Sequence, residues 1–81
     1  MRVALCSGWG GDLLILYTDG LVEAESPDGE FYSAQRLEAV ALAHMNEPAE
    51  NISEAIYESV IEFRGNRALD DDGTLVVVRV V

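Results

Sequence analysis

The sequence predicts an α+β fold in which two apolar strands enclose two consecutive helices. Three observations carry this reading. Leu13-Leu14-Ile15-Leu16-Tyr17-Thr18 is apolar on both alternating faces. Thr74-Leu75-Val76-Val77-Val78-Arg79-Val80-Val81 is dense in β-branched residues, whose side chains fit a pleated surface. Between the two runs, apolar residues recur at three and four positions, the period of an amphipathic helix.

The chain opens with a short strand-like piece, Val3-Ala4-Leu5-Cys6, and a glycine-rich turn, Ser7-Gly8-Trp9-Gly10-Gly11. Trp9 reads as a packing anchor. Cys6 reads as a small buried hydrophobe, because Arg2 is the only basic residue near it in sequence and a reactive thiol needs positive neighbours. As the single cysteine it forms no internal disulfide, which fits a reducing cytoplasm. The run 13–18 is bounded by Gly11-Asp12 and Asp19-Gly20, and suits a strand buried on both sides. Tyr17 and Tyr57 read as residues at the edge of the core.

Residues 21–24 fit one helical turn. Ser26-Pro27-Asp28-Gly29 is a turn, with proline fixing φ and glycine supplying positive φ. Ser33 is the expected N-cap of a first helix reaching about Met45, with Leu37, Val40, Ala41 and Met45 on its apolar face. His44 reads as a helix-end histidine, favoured there by the dipole, ahead of a role as proton donor. A second helix is expected to start near Pro48 or Asn51, where Asn51 and Glu54 resemble a capping box. Ile52, Ile56, Val60 and Phe63 form its apolar face, and Gly65 ends it. Arg64 and Arg67 are expected at the surface. Two strands alone make a marginal sheet, so part of the sheet is expected from sequence or a partner beyond these elements. Residues 1–81 read as one unit without repeats or linkers.

Composition excludes some functions. Five Lys and Arg against fifteen Asp and Glu give a net charge of −10, the wrong sign for a phosphate backbone, so nucleic-acid binding is not expected. Apolar runs fall well short of the ~20 residues that span a bilayer. No secretory pattern follows Met1-Arg2, so no membrane association and a cytoplasmic location are expected.

The acidic residues stand at the strand ends. Asp19-Gly20 follows the first strand, and Asp70-Asp71-Asp72-Gly73 precedes the last. If the strands pair antiparallel, Asp19 comes close to Asp71 and Asp72. Clustered carboxylates suit a hard cation such as Mg²⁺ or Mn²⁺. Ordinary turns account for the same residues equally well.

The wording of these motifs adds to the spacing. Gly11-Asp12-Leu13-Leu14-Ile15-Leu16-Tyr17-Thr18-Asp19-Gly20-Leu21-Val22-Glu23-Ala24 resembles the signature of SpoIIE/RsbU-type phosphatases of the PPM (protein phosphatase 2C-like) superfamily. The Pro-Asp-Gly-Glu turn, the two helices and an Asp-Asp-x-Thr-Leu strand start follow in the family's order, so the resemblance covers residues 10–81. It implies the C-terminal part of a PPM-type β-sandwich flanked by helices, here two or three strands with two helices between the main pair. It implies hydrolysis of phosphoserine or phosphothreonine on proteins by a metal-activated water, with two Mn²⁺ or Mg²⁺ ions. Asp19 and Asp71 are then the metal ligands. Gly20 and Asp72 are their supporting neighbours, and Glu23 lies near the site or at a solvated helix start. The substrate implied is a phosphoprotein, often a phosphorylated anti-sigma-factor antagonist.

Two departures from the pattern matter. Gly73 stands where the family has an apolar or basic residue. The family's N-terminal Asp-Gly pair, which bridges its metals, has no counterpart, since no carboxylate precedes Asp12. An incomplete catalytic domain is therefore expected. The alternative is a noncatalytic interaction or regulatory module, including a homo-oligomer formed through exposed sheet edges. Asp70-Asp71-Asp72-Gly73-Thr74 also matches the Asp-x-Asp-Gly-Thr motif of haloacid-dehalogenase-like phosphotransferases, but it precedes a strand instead of following one. An EF-hand fails on its Asp spacing, and Arg79 stands where the bidentate Glu belongs.

Overall fold

Alternation of side chains along the strands decides which face of the sheet the helices cover. The computed structural model describes residues 2–8, 11–65 and 74–80. Three strands, β1 (Arg2–Gly8), β2 (Gly11–Tyr17) and β3 (Leu75–Val80), form one antiparallel sheet in the order β1-β2-β3. The helices are α1 (Asp19–Val22), α2 (Ser33–Ala43) and α3 (Ala49–Phe63). This is the expected α+β architecture with three strands.

Ala4 and Cys6 of β1, Leu13, Ile15 and Tyr17 of β2, and Leu75 of β3 are buried on one face. Against them pack Leu37 and Ala41 of α2 and Ile52, Ile56 and Val60 of α3. These helical residues are spaced by four, so each helix offers the sheet a single stripe. Burying side chains of this size stabilises by roughly 1.5–3 kcal/mol each, which makes the sheet–helix seam the main support of the fold.

The other face differs from expectation. Leu14 and Leu16 are only half-buried. Val3 and Leu5 are 60% and 61% exposed, and Val76 and Val78 are 43% and 42% exposed. The central strand is therefore buried on one side only, because all three helices pack elsewhere among the described residues.

Helix boundaries also shift. Ser33 has φ 75° and opens α2 with no side-chain cap, Tyr32 being the preceding residue. The helix stops at Ala43, two residues before Met45, and His44 caps it. In α3 the N-cap is Pro48, in an extended conformation. The Asn51 amide already donates to the Pro48 carbonyl at 3.0 Å, so Asn51 lies in the first turn and is not the cap. Proline has no N–H to satisfy and a fixed φ, which suits the entry to a helix. Gly65 ends α3 with φ 77°, as expected.

Residues 24–32 form a small hairpin around the expected turn. Gly29 N–H donates to the Ser26 carbonyl at 2.9 Å, and Tyr32 N–H to the Ala24 carbonyl at 2.8 Å. The hairpin delivers Tyr32 to the core, where its hydroxyl donates to Ser59 Oγ at 2.8 Å. Its ring meets Phe63 edge-on at 5.5 Å, and Arg36 lies 4.4 Å above the same phenylalanine. Arg64, expected at the surface, is buried. It belongs to the helix end that packs on the hairpin turn, where a Cβ on Gly65 would stand 3.2 Å from Pro27 Cγ. Trp9 and Arg67 lie outside the described residues. Among the described residues no helix is long and apolar enough to cross a membrane.

Candidate functional site

The site is built at the end of the sheet where β2 stops and β3 starts. Antiparallel register pairs Tyr17 with Leu75, so the next pair out is Thr18 and Thr74. The Thr18 amide donates to the Thr74 carbonyl at 3.1 Å, and the Thr74 amide donates to Thr18 Oγ1 at 3.1 Å. The expected antiparallel pairing is therefore present, and the threonine of Thr-Asp-Gly locks it.

Asp19 follows directly. Thr18 is extended (φ −94°, ψ 159°) and serves as N-cap of α1, without a side-chain capping bond of its own. Its carbonyl accepts from Leu21 N–H at 3.1 Å. Leu21 and Val22 are buried, so the one-turn helix is anchored by its apolar side. That anchoring leaves the Asp19 side chain 60% exposed beyond the sheet. Gly20 is half-buried within the same turn, and Glu23, its C-cap, is exposed.

The Asp19 carboxylate is paired with the Arg2 guanidinium. Arg2 opposes Tyr17 in the sheet, so β1 brings its cation to the same end as the acid. The pairing raises the Arg2 pKa, first through the hydrogen bond and then through the carboxylate's charge. Nothing in the sequence reading singled out Arg2 as a partner of Asp19. The signal was its place at the far end of a hairpin whose other strand ends in Tyr17-Thr18-Asp19.

Asp70, Asp71, Asp72 and Gly73 lie outside the described residues. What is described is the residue after them, Thr74, held against Thr18. Among the described residues no group of three or more His, Cys, Asp or Glu side chains is arranged to hold a metal ion. At this end of the sheet they supply Asp19, already matched by a guanidinium, and Glu23 at the end of α1, and do not by themselves fit a metal centre.

Other singled-out residues lie elsewhere. His44 Nδ1 pairs with Glu47 at the end of α2, as a helix-end histidine should. Cys6 is buried, and burial pushes its thiol pKa up, with Glu38 adding to the effect. It is a core residue, as read from sequence.

Comparison with known proteins gives a consistent picture. The model of the family described as Stage II sporulation protein E (SpoIIE) matches residues 9–81. The chain is similar to Phosphoserine phosphatase RsbU of Bacillus subtilis, 32% identical over 69 residues. It is also similar to Protein IcfG of Synechocystis sp., 33% identical over 69 residues. Each match takes in 85% of this chain but only 20% of RsbU and 11% of IcfG. No solved structure gives a significant match.

Proposed function

The chain belongs to the SpoIIE family, and we propose that it is the C-terminal part of a metal-dependent protein serine/threonine phosphatase domain. In this reading it contributes Asp19 and Asp71 as ligands to a divalent-cation site, Mn²⁺ or Mg²⁺. The remaining ligands come from beyond the described residues. Gly20 and Asp72 are the supporting neighbours. The substrate is a phosphoserine or phosphothreonine protein, a phosphorylated anti-sigma-factor antagonist being the type the family resemblance suggests.

The single observation that supports this most is the Thr18–Thr74 pairing. It holds Thr74, the first described residue after the second acidic motif, against Thr18, the residue before Asp19, at one end of one sheet. A carboxylate presented there, outside the apolar core and one residue from a threonine paired with Thr74, which follows a second acidic segment in sequence, is chemically suited to a hard cation. The matched relative named a phosphoserine phosphatase supports the reaction class.

A second reading has its own observation. Asp19 is already neutralised by Arg2, as it would be in a noncatalytic module that kept the fold. Replacing the matched segment of RsbU with residues 9–81 separates the two. The catalytic reading expects a folded chimera that hydrolyses a phosphoserine protein in Mn²⁺, and loses that activity with Asp19→Asn. A folded chimera whose activity is indifferent to Asp19→Asn would contradict it.

A further inference from the structure

Asp19 is met by a cation that the chain itself supplies. The Arg2 guanidinium donates through Nε to Asp19 Oδ1. Antiparallel register fixes this approach, because Arg2 opposes Tyr17 across the β1–β2 pair and directly opposed side chains share a face. Asp19 stands two residues past Tyr17, in the first turn of α1. The Arg2 charge is held chiefly by Asp19, through the hydrogen bond and the carboxylate's charge, with weaker attraction from Tyr17 and Glu23. Carboxylates from both ends of α1 therefore act on one positive charge, an arrangement that would also suit a bound cation.

Two other arginines are used differently. Arg36 donates to the carbonyls of Phe31 and Tyr32 and lies over Phe63. Arg79 donates to the carbonyls of Met45 and Glu47. Both tie connecting segments to the elements beside them. Arg2 instead meets the carboxylate that the proposed function gives to a metal. We propose that Arg2 is a built-in counter-ion that guards Asp19, and that while it holds the carboxylate it lowers this site's affinity for a divalent cation. The inference rests on the reading of Asp19 as a cation ligand and adds a contact that restrains it.

Two effects act together. The guanidinium occupies one carboxylate oxygen, and its charge repels a second cation brought to the same carboxylate. The Arg2 and Asp19 side chains are 55% and 60% exposed. Water and salt therefore weaken the pair, and the contact restrains the carboxylate without blocking it. It opens to whatever competes for either partner.

Isothermal titration calorimetry with Mn²⁺ tests this on the 81-residue chain and its variants. Arg2→Gln is expected to tighten binding by about two- to fivefold, the range of an exposed ion pair. Asn51→Asp makes the same change in net charge at the opposite end of the sheet, near the connection that Arg79 holds. It is expected to leave the affinity unchanged, because charge effects at the surface are screened with distance. The gain from Arg2→Gln should vanish once Asp19→Ala is added, since nothing is left to guard. Equal affinities for wild type and Arg2→Gln overturn the proposal, as does an equal gain from Asn51→Asp. If Arg2→Gln changes nothing while Asp19→Ala still weakens binding, only the guard fails and the ligand reading stands. If Asp19→Ala changes nothing, or no chain binds, both fail. A second readout needs no variant. Mg²⁺, a diamagnetic probe, must shift the Arg2 Nε–H resonance of the wild type with the same midpoint as the Asp19 carboxylate carbon. An Arg2 resonance that stays unmoved at saturation overturns the proposal.

Discussion

Thr18 and Thr74 bind each other twice at the end of the sheet, once through the Thr18 amide and once through the Thr18 hydroxyl, each at 3.1 Å. The two bonds extend the β2–β3 ladder by one pair past Tyr17 and Leu75. They also fix where the chain turns into α1, because the next residue is Asp19. A carboxylate on a one-turn helix has little intrinsic rigidity. Here its position is inherited from the sheet through Thr18.

Thr18→Val keeps the β-branched shape and removes the acceptor of the Thr74 amide. The expected loss is about 0.5–1.5 kcal/mol, the net worth of one hydrogen bond. Urea unfolding followed by circular dichroism measures it, and Thr18→Ser recovers most of the loss.

Arg79 occupies a helix-facing position of β3 and donates to the carbonyls of Met45 and Glu47, each at 2.6 Å. It stitches the α2–α3 connection to the sheet. Arg79→Met fills similar volume but orphans two carbonyls, at a cost of about 1–3 kcal/mol. Amide exchange at residues 44–48 should accelerate more than exchange in the centre of α3.

Gly65 and Gly29 both have positive φ, 77° and 86°, so alanine is strained at either by about 1–2 kcal/mol. Only at Gly65 does the added methyl also meet a neighbour, Pro27 Cγ at 3.2 Å, whereas at Gly29 nothing lies within 4 Å. Gly65→Ala should therefore lower the melting temperature more than Gly29→Ala. Equal effects would mean that the helix end is not packed on the hairpin turn.

Burial raises the pKa of Tyr32 above the ordinary tyrosine value, while Ser59 and Arg36 oppose the shift in part. A folded-state pKa above the unfolded one means the native chain holds its proton longer. This contribution to stability is constant below about pH 10 and is lost as pH rises from there through the raised value. Tyr32→Phe should flatten that part of the stability profile, measured by urea unfolding at successive pH values.

Much of this was legible in the sequence, for physical reasons that differ between elements. The helices and β3 are decided by local periodicity and β-branching, which residues 52, 56, 60 and 75–80 display openly. Thr18-Asp19-Gly20 was legible as a strand end that carries an acid. Of the two starts expected for α3, near Pro48 or Asn51, the helix takes Pro48, and Asn51 and Glu54 only imitate a capping box. Ser33 looked like a cap, yet its φ of 75° is set by the hairpin that brings in Tyr32. Arg79 and Arg2 were illegible as partners. Their contacts, to Met45 and Glu47 and to Asp19, span 34, 32 and 17 residues, and no local pattern encodes such pairings. The bare face of β2 was legible in part, because a doubly apolar strand asks for neighbours that these elements do not supply. A strand apolar on both faces tells that two layers are wanted, not that both are present. Asp71 and Asp72 lie outside the described residues, so the structure describes only the Asp19 half of the proposed pair.

The central proposal is that Asp19, presented at the end of β2, serves as a metal ligand. Isothermal titration calorimetry with Mn²⁺ on the wild-type chain and on Asp19→Ala tests it most directly, with circular dichroism showing that both are folded. The account predicts saturable Mn²⁺ binding by the wild type that Asp19→Ala weakens by at least about tenfold, or ~1.4 kcal/mol. Identical binding by both chains, or none by either, would contradict it.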